Sequence, residues 1–159
     1  DISTNVDVKN NIPVNNKVFI VHGHDGELKE KVARRLEQQG IEAIILSEQA
    51  NRGRTIIEKI EAYSDVHVAI ALFTQDDIGA VKEEKGNEKY RARQNVVFEA
   101  GYFVGYLGRE NVIMIAEENL EIPGDLSGMV YTTKDNWEFE MLKELKAAGM
   151  KIDMNKLIG

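Results

Sequence analysis

The chain has 159 residues, no cysteine and a formal net charge of −7, from 27 Asp plus Glu against 20 Lys plus Arg. That length suits one domain with a substantial core, and the acidic balance argues against nucleic acid as a main partner. The lack of cysteine excludes a disulfide framework and Cys-ligated metal and fits a cytoplasmic protein; no apolar run approaches the ~20 residues of a membrane span, and the first residues show no secretory pattern.

Residues 1–16 are rich in Asn and Asp, contain Pro13 and lack any sustained period, so they read as a linker or tail from an upstream domain. The start at Asp1 rather than Met agrees with a cut or processed piece. From Lys17 onward, residues 17–159 alternate short β-branched runs with amphipathic segments. Val18 to Val21 is a buried strand, followed by a helix from about Gly26 to Gln39 that stops at Gly40. A second strand covers Ile41 to Leu46. After a polar loop, Thr55 caps a helix with Ile56, Ile57, Ile60 and Tyr63 on its core side. Val66 to Phe73 is a third strand, apolar but for His67, which is expected to be a satisfied core or edge histidine. Asp76 to Tyr90 is a long charged loop, and loops of that length are usually functional or mobile.

Next comes a helix whose Val96, Ala100, Phe103, Val104 and Leu107 recur at helical spacing, so it is expected to be largely buried. A strand from Asn111 to Ala116, a short one from Met129 to Thr132 and a last helix from about Asn136 to Ala148 complete the pattern. Strands that read as continuous apolar runs joined by helices predict an α/β domain, its parallel sheet covered on both faces. The expected order is 2-1-3-4-5, as in flavodoxin-like folds, with the ligand crevice between strands 1 and 3.

That topology assembles a site from distant residues. His22-Gly23-His24-Asp25-Gly26 follows strand 1, Thr74-Gln75-Asp76-Asp77 follows strand 3, and the next helix carries Glu99. Glu99 is the one charged residue from Val96 to Leu107 and has no charged residue three or four positions away. Burying it unpaired would cost several kcal/mol, so it must reach a polar cleft or a distant partner. This makes it the first candidate for chemistry.

The other motifs are less specific. Gly23-His24-Asp25-Gly26 does not supply a dinucleotide fingerprint, its acidity does not suit a flavin phosphate loop, and a His-x-His metal pair lacks evident third and fourth ligands. What remains is a ligand-lining turn in which glycine permits close approach, or an ordinary turn with Asp25 as a helix cap. Arg52 and Arg54, beside Gly53 and before Thr55, could meet phosphate or simply be solvated. Arg91 and Arg93 precede a helix whose dipole they oppose, a position better suited to an acidic loop or a ligand phosphate. A phosphorylated receiver domain is excluded, since strand 3 ends in Phe73-Thr74 rather than in an aspartate.

Four motifs in order, Val18-Phe19-Ile20-Val21-His22-Gly23-His24-Asp25, Gly53-Arg54-Thr55-Ile56-Ile57-Glu58-Lys59, Thr74-x-Asp76-Asp77-x-Gly79 and Arg91 to Phe103, resemble the bacterial TIR-like domains. The likeness is to the TIR effectors of Pycsar-type antiphage systems and the TIR part of TIR-STING proteins; it extends to Ile122-Pro123-x-Asp125-x-Ser127-Gly128. The resemblance implies a flavodoxin-like TIR fold and cleavage of NAD+ at its nicotinamide–ribose bond, with Glu99 at the essential glutamate position. NAD+ would be substrate, with no cofactor and no metal. His22, Gly23, His24 and Asp25 would line the ribose and nicotinamide end. Asp76, Asp77, Arg93 and Asn95 would flank Glu99, Arg54 and Thr55 would lie on the phosphate side, and Phe73 would either stack near the base or belong to the core. The resemblance further implies homo-oligomeric activation through TIR–TIR contacts, movement of the loop from Ser47 to Thr55, and an upstream sensor of a cyclic nucleotide. Nucleic acid and membrane are not expected partners.

Overall fold

The computed structural model describes residues 15–157 apart from Asp25; the expected helix cap at Asp25 and most of the predicted tail lie outside the described residues. Five parallel strands form the central sheet: β1 (Lys17–Val21), β2 (Glu42–Ile45), β3 (Val68–Phe73), β6 (Val112–Ala116) and β8 (Val130–Thr132), in the order β2-β1-β3-β6-β8. This is the flavodoxin-like order the sequence predicts. Four α-helices cover it: α1 (Gly26–Gln38), α2 (Ile56–Ala62), α3 (Gln94–Leu107) and α4 (Trp137–Ala147).

Alternation along the strands divides the core. Val18, Ile20, Val68, Ile70, Leu72, Ile113 and Ile115 face one side and pack with Leu28, Val32 and Leu36 of α1 and Met141, Leu142 and Leu145 of α4. Phe19, Val21, Ala69, Ala71, Phe73, Met114 and Ala116 face the other, against Ile60 of α2 and Val96, Ala100 and Phe103 of α3. Successive strand residues point to opposite faces, so the apolar runs of the sequence are two interleaved sets. Both α1 and α4 end in the same way. Gly40 (φ 74°) and Gly149 (φ 95°) take the left-handed conformation; the amide of Ile41 donates to the Leu36 carbonyl and that of Met150 to the Leu145 carbonyl. This Schellman arrangement satisfies the last carbonyls and turns a buried residue back onto the helix.

Three expectations change. The segment from Asp76 to Tyr90 is not structureless: β4 (Asp77–Gly79) and β5 (Lys89–Arg91) pair antiparallel, and β5 pairs with β7 (Leu120–Glu121) in a second, three-stranded sheet. Periodicity missed these strands because they are only two or three residues long and mostly polar. Ile56 and Ile57 are exposed rather than core-facing, since α2 is two turns long and presents Ile60 and Lys59 inward. Finally, α3 is only half buried: Val96, Ala100 and Phe103 meet the sheet, while Phe98, Gly101, Gly105 and Tyr106 face outward. His67, directly before the central strand β3, is satisfied as expected, its Nε2 bonded to the Ala148 carbonyl.

Candidate functional site

The carboxyl ends of β1 and β3 are fastened by one aspartate. Asp76 Oδ1 accepts the Thr74 hydroxyl at 2.7 Å and the His24 amide at 2.8 Å, and its Oδ2 accepts the Arg93 amide at 3.1 Å. Asp76 therefore ties the turn after β1 to the start of α3, where Arg93 holds the N-cap position without a side-chain cap. A negative group among the free amides at a helix start is favourable. Gly23 is required by the same contact, because a Cβ there would lie 1.9 Å from Asp76 Oδ2. Asp76 thus holds the crevice together, in addition to the ligand contact expected of it.

The two histidines of the turn are held differently. His22 Nδ1 lies 2.9 Å from the Gly23 carbonyl and its Nε2 lies 3.3 Å from Ser47 Oγ. A carbonyl only accepts, so Nδ1 carries the proton; in the neutral ring Nε2 then accepts from Ser47. His24 Nδ1 lies 3.1 Å from Arg93 Nη2. A guanidinium only donates, so here Nδ1 accepts and the proton of the neutral ring sits on Nε2. Two histidines separated by one glycine are therefore opposite tautomers.

Glu99 is half buried, and among the described residues no hydrogen bond or ion pair reaches it. Burial alone raises its pKa from 4.5 to about 7, because desolvation disfavours the charged form. Its position follows from Phe103, whose ring centroid lies 4.6 Å from that of Phe19 in β1. A helix linking parallel strands runs antiparallel to them. Going back one turn from Phe103, ~5.4 Å, matches going forward about two strand residues, ~6.6 Å, from Phe19 to Val21. Glu99 therefore stands level with the end of β1.

Two clefts flank the start of α3. One, of about 660 Å³, is lined by Asp76, Asp77, Tyr90, Arg91, Arg93 and Asn95, so four expected site residues do converge. The other, of about 630 Å³, has Phe73, Val97, Phe98, Ile122 and Pro123 in its wall. Val97 and Glu99 fall on opposite flanks of the buried stripe of α3, which sets Glu99 apart from this second cleft. Arg91 lies between the two clefts, 3.7 Å from Glu121 and packed flat over Gly79, where a Cβ would meet its guanidinium at 2.3 Å.

The remaining expected residues do not line the first cleft. Phe73 is 1% exposed and belongs to the core, with only its edge at a cleft. Thr55 is engaged in a capping box with Glu58, and Arg54 is exposed in a tight turn. That turn has the Arg54 amide bonded to the Asn51 carbonyl and positive φ at Arg52 (49°) and Gly53 (75°). Buried Lys59 anchors it through a 2.8 Å bond to Asn51 Oδ1. Sequence reasoning missed the roles of Ser47 and Thr74; a hydroxyl two residues before an aspartate is the available signal for Thr74, whereas nothing local links Ser47 to His22. Among the described residues no group of three or more His, Cys, Asp or Glu could hold a metal ion.

Comparison with known proteins gives the family. The chain is 47% identical over 150 residues to the uncharacterized protein YuaY of Escherichia coli (strain K12), across 92% of the chain and 50% of that protein. It is 39% identical over 140 residues to protein tirC of Dictyostelium discoideum, covering 82% of the chain and 68% of tirC. A 77-residue stretch, 44% of the chain, is 36% identical to the Pycsar effector protein BcPycTIR of Burkholderia cepacia and covers 24% of it. The chain thus spans about half the length of YuaY and a quarter of the Pycsar effector. Residues 17–136 match the family described as CAP12/Pycsar effector protein, TIR domain, a stretch that holds the Asp76 clasp, both histidines and Glu99, and the chain belongs to that family.

Proposed function

We propose that this domain hydrolyses NAD+ at the nicotinamide–ribose bond, releasing nicotinamide and ADP-ribose or its cyclic isomer, as the NAD-depleting effector of an antiphage system. The observation that carries the reading is Glu99, a half-buried carboxylate without a partner among the described residues, level with the end of β1. Such a group has unmet electrostatic demand, and a cation placed against it restores its charged form. NAD+ supplies positive charge at the bond to be broken. Nicotinamide leaves as a neutral base and needs no protonation, whereas the oxocarbenium-like ribose gains from a nearby carboxylate. His22, Gly23 and His24 would take the ribose and nicotinamide end, and Asp77, Arg93 and Asn95 the rest of the nucleotide, with Asp76 positioning both. Family membership supports this chemistry.

The assembly reading has its own support. Phe98 and Tyr106 of α3 are each 56% exposed, and Ile56 and Ile57 of α2 are exposed as well, apolar surface that suits contact with a second TIR domain. Assembly, triggered by an upstream domain that senses a cyclic nucleotide, would move the loop from Ser47 to Thr55 and complete the site; a non-catalytic assembly module is the alternative. Incubating the activated full-length protein with NAD+ and following nicotinamide release decides between them. Release that rises more steeply than protein concentration supports an enzyme controlled by assembly; intact NAD+ from an assembled protein leaves the scaffold.

A further inference from the structure

His22 and Ser47 form an arrangement that the glutamate chemistry leaves unused. Ser47 sits in the short turn Leu46–Glu48 directly after β2, and β2 is paired to β1 in parallel register. The hydroxyl is thereby brought to the end of β1, 3.3 Å from His22 Nε2, while the Gly23 carbonyl holds the opposite ring nitrogen at 2.9 Å. This is the geometry of a base whose proton-accepting nitrogen is fixed by a third group. Glu99 stands level with this pair, and its carboxylate has the separate task of facing the ribosyl cation.

Resting on the NAD-cleaving reading above, we infer that His22 is the proton acceptor for the attacking water. The hydroxyl of Ser47 marks where an O–H donor meets Nε2, a place that water takes when the loop from Ser47 to Thr55 moves. When the C1′–N bond breaks, its electron pair leaves with nicotinamide. Water oxygen then bonds to C1′ of the ribosyl cation, and its proton passes to His22 Nε2, from which it returns to solvent. Glu99 remains a carboxylate throughout. This division assigns each step its own residue: Glu99 serves bond breaking and His22 serves capture by water.

The division is testable because one alternative capture needs no base. Free pyridines such as labelled nicotinamide can re-form the glycosidic bond without giving up a proton, so exchange into NAD+ calls on Glu99 but on no proton acceptor. In the activated full-length protein, His22→Gln is expected to lower the ratio of hydrolysis to exchange by at least about tenfold, at the low end of general-base contributions. An unchanged ratio, whether both rates hold or both fall, overturns the role of His22. Absence of both reactions in the parent protein instead overturns the NAD-cleaving reading itself. Nitrogen-15 NMR of the unmodified chain gives an independent check that needs no variant: the neutral His22 ring should carry its proton on Nδ1, and a proton on Nε2 overturns the inference.

Discussion

The two faces of the sheet are built to different specifications. On the α1–α4 side β3 presents Val68, Ile70 and Leu72, and the helices answer with Leu36, Met141, Leu142 and Leu145, all fully buried. Its polar contacts are peripheral: Arg35 pairs with Glu138, and the Tyr131 hydroxyl donates to Glu144 at 2.7 Å. On the α2–α3 side β3 presents Ala69 and Ala71 instead, which lets the ring of Phe103 settle against Phe19. That face also carries the buried Lys59 of α2 and the half-buried Glu99 of α3. One face thus supplies burial, and the other gives up some of it to hold polar groups at the carboxyl end of the strands. Proteins commonly place such local departures from ideal packing at functional sites.

Substitutions on the two faces should separate accordingly. The largest effect is expected from Glu99→Gln, which should lower nicotinamide release by at least about a thousandfold, a value in the range for removing a key electrostatic group. Folding should survive, so circular dichroism unchanged alongside lost turnover is the expected pair of results. On the opposite face, Leu142→Ala should destabilise by about 3 kcal/mol in urea titrations and leave KM for NAD+ unaltered; a shifted KM would show that the faces are coupled. Asp76→Asn removes charge from a carboxylate with three donors and should cost about 2 kcal/mol. Gly23→Ala attacks the same contact and should match it, and the two together should fall short of their sum.

The smallest effect inverts the usual sign. Because Glu99 is raised from 4.5 to about 7, the folded state holds a proton that the unfolded state releases between those values. Its contribution to stability is complete below about pH 4.5 and is lost as pH rises through about 7. Glu99→Gln should therefore stabilise the domain at pH 8, by about 1 kcal/mol once solvent screening is allowed for, and have no such effect at pH 4. Activity should run the other way, with kcat/KM falling below about pH 7 as the carboxylate protonates. A melting temperature equally shifted at both pH values would place the strain elsewhere.

Much of this was legible in the chain. Buried strands in a parallel sheet are long apolar runs, so β1, β3 and β6 could be placed within two residues, and Gly40 marked the end of α1. Glu99 stood out because twelve residues from Val96 to Leu107 carry no other charge. Periodicity failed where elements are short or exposed: β4, β5 and β7 have no hydrophobic face long enough to register, and α3 looked buried because its outward face is also apolar.

The sequence by itself determined the sheet order, the crevice between β1 and β3 and the carboxylate beside it, since these follow from strand pattern and connection length. Only the tertiary structure decided which groups spend their hydrogen bonds on one another. Asp76 became a clasp as well as part of a cleft wall, Phe73 settled in the core with its edge at a cleft, and Ser47 came to face His22 from a separate strand. The reason is physical: burial periodicity is a local property of the chain, whereas hydrogen-bond partners 17 to 52 residues apart, as around Asp76, are chosen by the packing of elements that the chain reaches only when folded.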